Sequence, residues 1–157
     1  MIDLSLAALS IERRTVALAL FTNGRLSGIS IHHLPIQPAK ASHSLAGFLN
    51  SSFDLHHIQN VALEQSSSGH SDRAKVLRGV AIDAIRQAGI PLIEVSVNDL
   101  LSSYAHPALR KREQLRRIAR SIWPSLNNAR ATHSAQDAAL LGLHTQVERL
   151  FAFCEAA

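Results

Sequence analysis

The chain has 157 residues, 46% of them hydrophobic and 18% charged, which suits one domain with a sizeable core and excludes a disordered tail. Sixteen Lys and Arg face twelve Asp and Glu for a net charge of +4, and with Lys40, Lys75 and Lys111 the only lysines, that charge is mostly Arg. A single cysteine, Cys154, excludes an internal disulfide framework and a multi-cysteine zinc site.

The amino end reads as strands. Leu4 to Ile11 is small and apolar, and Thr15 to Phe21 is β-rich. Thr22-Asn23-Gly24 signals a turn, and Arg25 to Leu34 resumes the apolar pattern. Two prolines then interrupt the chain before a short helix expected over Ser44–Asn50. From there strands and helices alternate: a strand at Ile58–Glu64, a helix at Asp72–Ala88 capped by Ser71 and stopped at Gly89, and a strand at Pro91–Val97. A short helix follows through Tyr104, capped by Asn98, then helices at Ala108–Ile122 and about Ala135–Phe153. The last places Leu140, Leu143, Val147, Leu150 and Cys154 on one side. A three-strand meander followed by alternating α and β predicts an α/β domain over 1–157, a mixed five-stranded sheet with helices on both faces and the first strand beside Ile58–Glu64. The longest apolar runs, such as Val16–Phe21, are far below the roughly 20 residues of a membrane helix. No basic-then-apolar leader is visible near Asp3 and Arg13. A reducing cytoplasm is the expected setting, without a membrane partner.

Two acids stand out. Glu64 ends an apolar strand, where sites in α/β sheets are built, although a solvated strand-end glutamate is the plainer reading. Asp137 opens the last helix. Its plainer role is a cap, because Ser134-x-x-Asp137 has the capping-box spacing and an acid in a first turn favours the helix dipole. A basic cluster is independent of both: Arg110, Lys111, Arg112, Arg116, Arg117 and Arg120 lie within eleven positions, against Glu113 alone. On a helical wheel Ala108, Leu115, Ile118, Ala119 and Ile122 share one side, and Arg110, Arg116, Arg117 and Arg120 lie on the other. Such a face is either solvated or set against a phosphate backbone, where it gives affinity without sequence information. The histidine pairs His32-His33 and His56-His57 would point to opposite faces on strands, which argues against zinc. Cys154, Trp123 and Tyr104 read as packing residues.

Taken in order, these segments resemble the RNase H-like fold and, within it, the RuvC-type Holliday-junction resolvases. Val61-Ala-Leu-Glu64-Gln65 is similar to that family's fourth-strand motif. Arg73–Gln87 resembles its following helix, and Ile90-Pro-Leu-Ile-Glu-Val its fifth strand. Lys111-Arg-Glu-Gln-Leu resembles its Lys-x-x-Val/Leu helix, and Ala135-Gln-Asp137-Ala-Ala-Leu-Leu-Gly-Leu-His144 its closing helix. The resemblance implies Glu64 and Asp137 as catalytic metal ligands and Mg²⁺ as cofactor. It also implies nucleic acid as partner, DNA ahead of RNA; a homodimer is allowed.

The departures are specific. The family's first-strand Asp, in an Asp-x-Gly context, is absent from Ala8–Thr15, where Ser10 or Leu9 falls nearest. The acid expected three residues before the last Asp is Ser134, with His133 beside it. Cleavage by two metal ions needs several carboxylates around ions roughly 3.5–4 Å apart, and Mg²⁺ needs near-octahedral oxygen coordination. Two carboxylates are too few. The sequence thus predicts a degenerate nuclease that binds duplex or branched DNA. The alternatives are an active Mg²⁺-dependent crossover-junction endonuclease, its missing acid supplied by Glu12 or Asp3, and a catalytically dead structural or protein-interaction module.

Overall fold

A computed structural model of the protein describes residues 5–66, 71–104, 111–127 and 133–156. Strands β1 (Ser5–Ile11), β2 (Thr15–Thr22) and β3 (Arg25–His33) form the meander. Helix α1 (Pro38–His56), β4 (Asn60–Glu64), α2 (Asp72–Gln87) and β5 (Leu92–Val95) follow, then α3 (Val97–Tyr104), α4 (Arg112–Ile122), a 3-10 turn at Pro124–Asn127 and α5 (His133–Ala156). The sheet order is β3-β2-β1-β4-β5. β1 runs antiparallel to β2 and parallel to β4, and β4 is parallel to β5. This is the mixed α/β sheet expected from the sequence.

Period-two alternation sorts the strand residues into two cores. Ala7, Leu9, Val16, Leu18, Val61 and Leu63 face α1 and α2. Leu6, Ala8, Ala17, Ala19, Phe21 and Ala62 face the layer built from α3, α4 and α5. The second set is mostly alanine, so α5 can lie close to the sheet. A Cβ added at Gly142 of α5 would fall 2.1 Å from the Phe21 ring. The β2–β3 hairpin turns on Asn23 and Gly24, both with positive φ (51° and 81°), the conformation a two-residue type I′ turn demands.

Several boundaries differ from the expectation. α1 is not a short Ser44–Asn50 helix but runs from Pro38. Proline at the first helical position has φ already set and gives up no needed N–H, and Ala41, Leu45, Leu49, Ser52 and Phe53 then form one buried stripe. α3 is capped by Ser96, whose Oγ accepts from the Asp99 N–H at 3.1 Å, rather than by Asn98. α4 begins at Arg112, because Lys111 is extended (φ −121°, ψ 147°). Ala108 and Arg110, like the side chains of Leu150 and Cys154, lie outside the described residues. Of the apolar wheel face, Leu115 and Ala119 are buried, whereas Ile122 is exposed. Among the described residues no helix is long and apolar enough to cross a membrane.

Candidate functional site

Parallel pairing of β1, β4 and β5 brings three carboxyl ends to one rim. Leu9 of β1 pairs with Leu63 of β4, so Ser10 stands beside Glu64. Alternation puts Ser10 on the face of Leu6 and Ala8, and Glu64 on the face of Ala62, both toward the α4–α5 layer. Leu9, by contrast, is in the α1–α2 core, so of these two neighbours it is Ser10 that lies beside Glu64 on the α4–α5 side. A hydroxyl stands there. Ser10, Glu12, Arg13, Glu64, Arg78 and Asp137 are among the residues bordering a cleft of about 420 Å³.

Asp137 reaches this rim from α5. The helix starts at His133, so Asp137 lies beyond the first turn, which holds no acid. Ser134 is fully buried and shares a 3.2 Å hydrogen bond with Thr15 of β2. The capping-box reading of this pair is therefore replaced: Ser134 fastens α5 to the sheet, and Asp137 points at α4.

Both carboxylates meet arginine there. Arg112 donates to Glu64 Oε1 at 2.5 Å and to Oε2 at 3.1 Å. Its Nη1 also lies 3.6 Å from Asp137 Oδ2, so one guanidinium touches both acids. Arg116 donates from Nε and Nη2 to the two Asp137 oxygens, each at 3.0 Å. These are bidentate, charge-assisted pairs, the strong class of hydrogen bond. They are also sheltered: the Glu64 and Asp137 side chains are 16% and 8% exposed. Arg120 continues the row one turn on, donating to Gln136 Oε1 at 3.1 Å and to Glu113 at 2.9 Å. Gln136 in turn donates to the Leu126 carbonyl. Spacing of four along α4 puts these three arginines on one face, and that face is turned to α5.

Burial pulls the Arg112 guanidinium toward lower pKa. The Glu64 hydrogen bond, with the charges of Glu64, Asp137 and Glu12, outweighs this and raises it above its ordinary value. Glu12 is thus the third acid that Arg112 feels. It is half-buried on the cleft wall, while Arg13 and Arg14 next to it are exposed. Behind the rim, Arg78 donates to the Glu64 carbonyl at 2.9 Å. Its Nη2 is 3.4 Å from Glu94, a charge contact without hydrogen-bond alignment. Arg73 ties the surrounding loops together by donating to the backbone carbonyls of Arg13, Pro35 and Ile36.

The six cations of the sequence cluster therefore part company. Arg112, Arg116 and Arg120 turn inward onto acids and an amide, Lys111 and Arg117 are exposed, and Arg110 lies outside the described residues. The sequence reading overlooked Arg13 as a wall of the cleft and Arg78 as a brace behind it. The proximity of Arg13-Arg14 to a strand end was the available signal.

The donor set does not fit a pair of divalent ions. Each carboxylate already receives two guanidinium N–H groups, and Ser10 and Ser134 contribute no charge. Among the described residues no three His, Cys, Asp or Glu side chains come together as metal ligands.

No protein-family model matches the chain, and no curated protein matches its sequence. Solved structures do match. The Thermus thermophilus RuvC in complex with a Holliday junction substrate is 14% identical, with a TM-score of 0.73 over 94% of this chain and 96% of that one. The yeast mitochondrial Holliday junction resolvase Ydc2 is 11% identical, with a TM-score of 0.63 over 98% and 86%. The Fowlpox virus resolvase, in complex with substrate Holliday junction DNA, is 13% identical, with a TM-score of 0.63 over 94% and 99%. Element order, sheet topology and these likenesses together identify the architecture: the chain has the RuvC-like resolvase form of the RNase H-like fold.

Proposed function

We propose that the protein is a nucleic-acid-binding domain that grips duplex or branched DNA at the α4 side of the cleft and does not cut it. The observation that carries this reading is the capture of Glu64 and Asp137 by Arg112 and Arg116. A carboxylate held by a bidentate guanidinium is a poor ligand for Mg²⁺, which needs its oxygens at about 2.0–2.1 Å, and Ser10 supplies no substitute. The binding half rests on exposed cations: Arg13 and Arg14 on the β1–β2 turn, Arg13 bordering the cleft, Lys111 just before α4 and Arg117 on it. Two of the fold neighbours were crystallised with Holliday junction DNA, which supports a branched duplex as the probe to try first.

The test has two arms. Fluorescence anisotropy with a four-way junction and with its duplex arm, across a salt series, reads binding. Lys111→Ala/Arg117→Ala should weaken binding to every sequence alike and reduce the salt slope by about 0.9 per lost phosphate contact. Incubation of the same junction with Mg²⁺ or Mn²⁺ reads cleavage and should leave it intact. Robust cutting that disappears in Glu64→Gln would overturn the non-cleaving half. Unchanged affinity in the Lys111/Arg117 variant would overturn the assignment of the surface.

A further inference from the structure

We infer that Arg112 and Arg116 are built-in counter-cations, and that Glu64 and Asp137 form a latent divalent-cation site that opens only when both guanidinium groups are removed. The inference deepens the non-cleaving reading of this cleft and rests on it, but it is tested on the protein alone, without nucleic acid.

Three features carry it. First, the geometry is that of a bridging cation. Arg112 contacts Glu64 at 2.5 and 3.1 Å and Asp137 at 3.6 Å, so a single positive group joins an acid from a β-strand end to an acid from α5. A second positive group, Arg116, holds both oxygens of Asp137 with two bonds of 3.0 Å. Two anions are thus held by two cations in one sheltered cluster. Second, the two cations arrive as a unit. They lie four residues apart on α4, one helical turn, and Arg120 fixes the next turn against Gln136 and Glu113. The cations are part of the helix packing and are not exchangeable solutes. Third, the anions cannot do without them. A carboxylate as sheltered as Asp137, 8% exposed, is strongly disfavoured once its partner is lost, so a vacated pair would demand another cation. Two carboxylates from facing elements can bind one hard ion weakly.

The experiment compares wild type, Arg112→Gln/Arg116→Gln, and the quadruple variant that adds Glu64→Gln and Asp137→Asn. Each is titrated with Mn²⁺ by calorimetry and melted with Mn²⁺ or with EDTA. Wild type should show no saturable Mn²⁺ binding, and a melting temperature the same in both. The double variant should melt lower than wild type, bind Mn²⁺ saturably in the millimolar range, and regain several degrees when it is added. The quadruple variant should lose that response. Saturable Mn²⁺ binding by wild type that is lost on Glu64→Gln/Asp137→Asn would overturn the inference, as would a folded double variant indifferent to Mn²⁺. If the double variant does not fold, the quadruple variant decides. A folded quadruple variant shows that the guanidinium groups are needed to neutralise the carboxylates. An unfolded one assigns them to packing and overturns the inference.

Discussion

Gly142→Ala isolates the contact that sets the distance between α5 and the sheet. The new Cβ would lie 2.1, 2.7 and 2.9 Å from three ring carbons of Phe21. Carbon atoms at ease sit about 3.5–4.0 Å apart, so the closest approach must open by roughly 1.4 Å or more. The ring has nowhere to go: Phe21 is 1% exposed and meets Trp123 edge-on with centroids 6.2 Å apart. Overpacking of this kind costs about 1–3 kcal/mol, and the severity of the overlap argues for the upper end. Alanine opposes it by gaining about 1 kcal/mol of helix propensity over glycine. The steric term wins, for a net loss of about 2 kcal/mol, or about 4–8 °C in melting temperature for a chain of this size. Calorimetric melting of wild type, Gly142→Ala, Phe21→Leu and the double variant checks both magnitude and cause. In the Phe21→Leu background the ring is gone, so Gly142→Ala should be neutral or mildly stabilising. A Gly142→Ala protein that melts at or above wild type would refute the argument, because helix propensity would then have outweighed a contact that the fold cannot relieve.

Arg116→Ala removes the bidentate partner of Asp137; it should cost about 3 kcal/mol in denaturant unfolding, the low end for a broken sheltered pair because Arg112 remains nearby. Adding Asp137→Asn should recover much of that loss, and a single-variant cost under about 1 kcal/mol would place the pair among ordinary surface bridges. The Arg120 hydrogen bond holds the Glu113 carboxyl below its ordinary pKa against an opposing desolvation, aided by the charges of Arg120, Arg116 and His133. That contribution is present above the ordinary carboxylate range and is lost as pH falls through the lowered value; Glu113→Gln should therefore be slightly less stable than wild type near neutrality, the two melting curves converging in acid. Tyr104, the single tyrosine, has its pKa raised by burial first and by the Glu148 charge second. An ultraviolet titration should give phenolate formation above the free-tyrosine value of 10.0, with stability lost as pH climbs from that value through the raised one, and Glu148→Gln should bring the titration part of the way back.

The sheet was legible in the sequence because its signals are local. Apolar alternation in β1 and β2, Asn23-Gly24 between β2 and β3, and Gly89 at the end of α2 each state their structure within a few residues. α1 was shortened in that reading because Pro38 looked like an interruption, whereas at the first helical position it is a start. The site was legible in its two acids and in their meeting at one rim of the sheet, but not in what they meet there. Glu64 and Asp137 could be named, but the capping spacing around Ser134 pointed to a local use for Asp137 that the chain does not make. The arginines show the limit more clearly. A helical wheel separates Arg116 and Arg120 from Leu115 and Ala119, yet it does not say whether the polar side faces water or α5. That depends on how α4 docks, which is fixed by contacts tens of residues away, Arg112 with Glu64 and Arg116 with Asp137.

The two faces of the sheet are closed at different times as the chain is made. Leu9, Val16, Leu18 and Leu63 are covered by α1 and α2, which emerge with or just after those strands. Leu6, Ala8, Ala17, Ala19 and Phe21 wait for Ala138, Leu140 and Leu141, encoded near the other end. At roughly 5–20 residues per second of synthesis, the second face stays open for several seconds after β4 has joined β1. A nascent or truncated chain ending before His133 would therefore be a sheet with one finished side and one side lacking α5, which leaves apolar surface that chaperones hold and that neighbouring chains stick to. Truncation before His133 should thus yield insoluble protein, not a smaller folded domain.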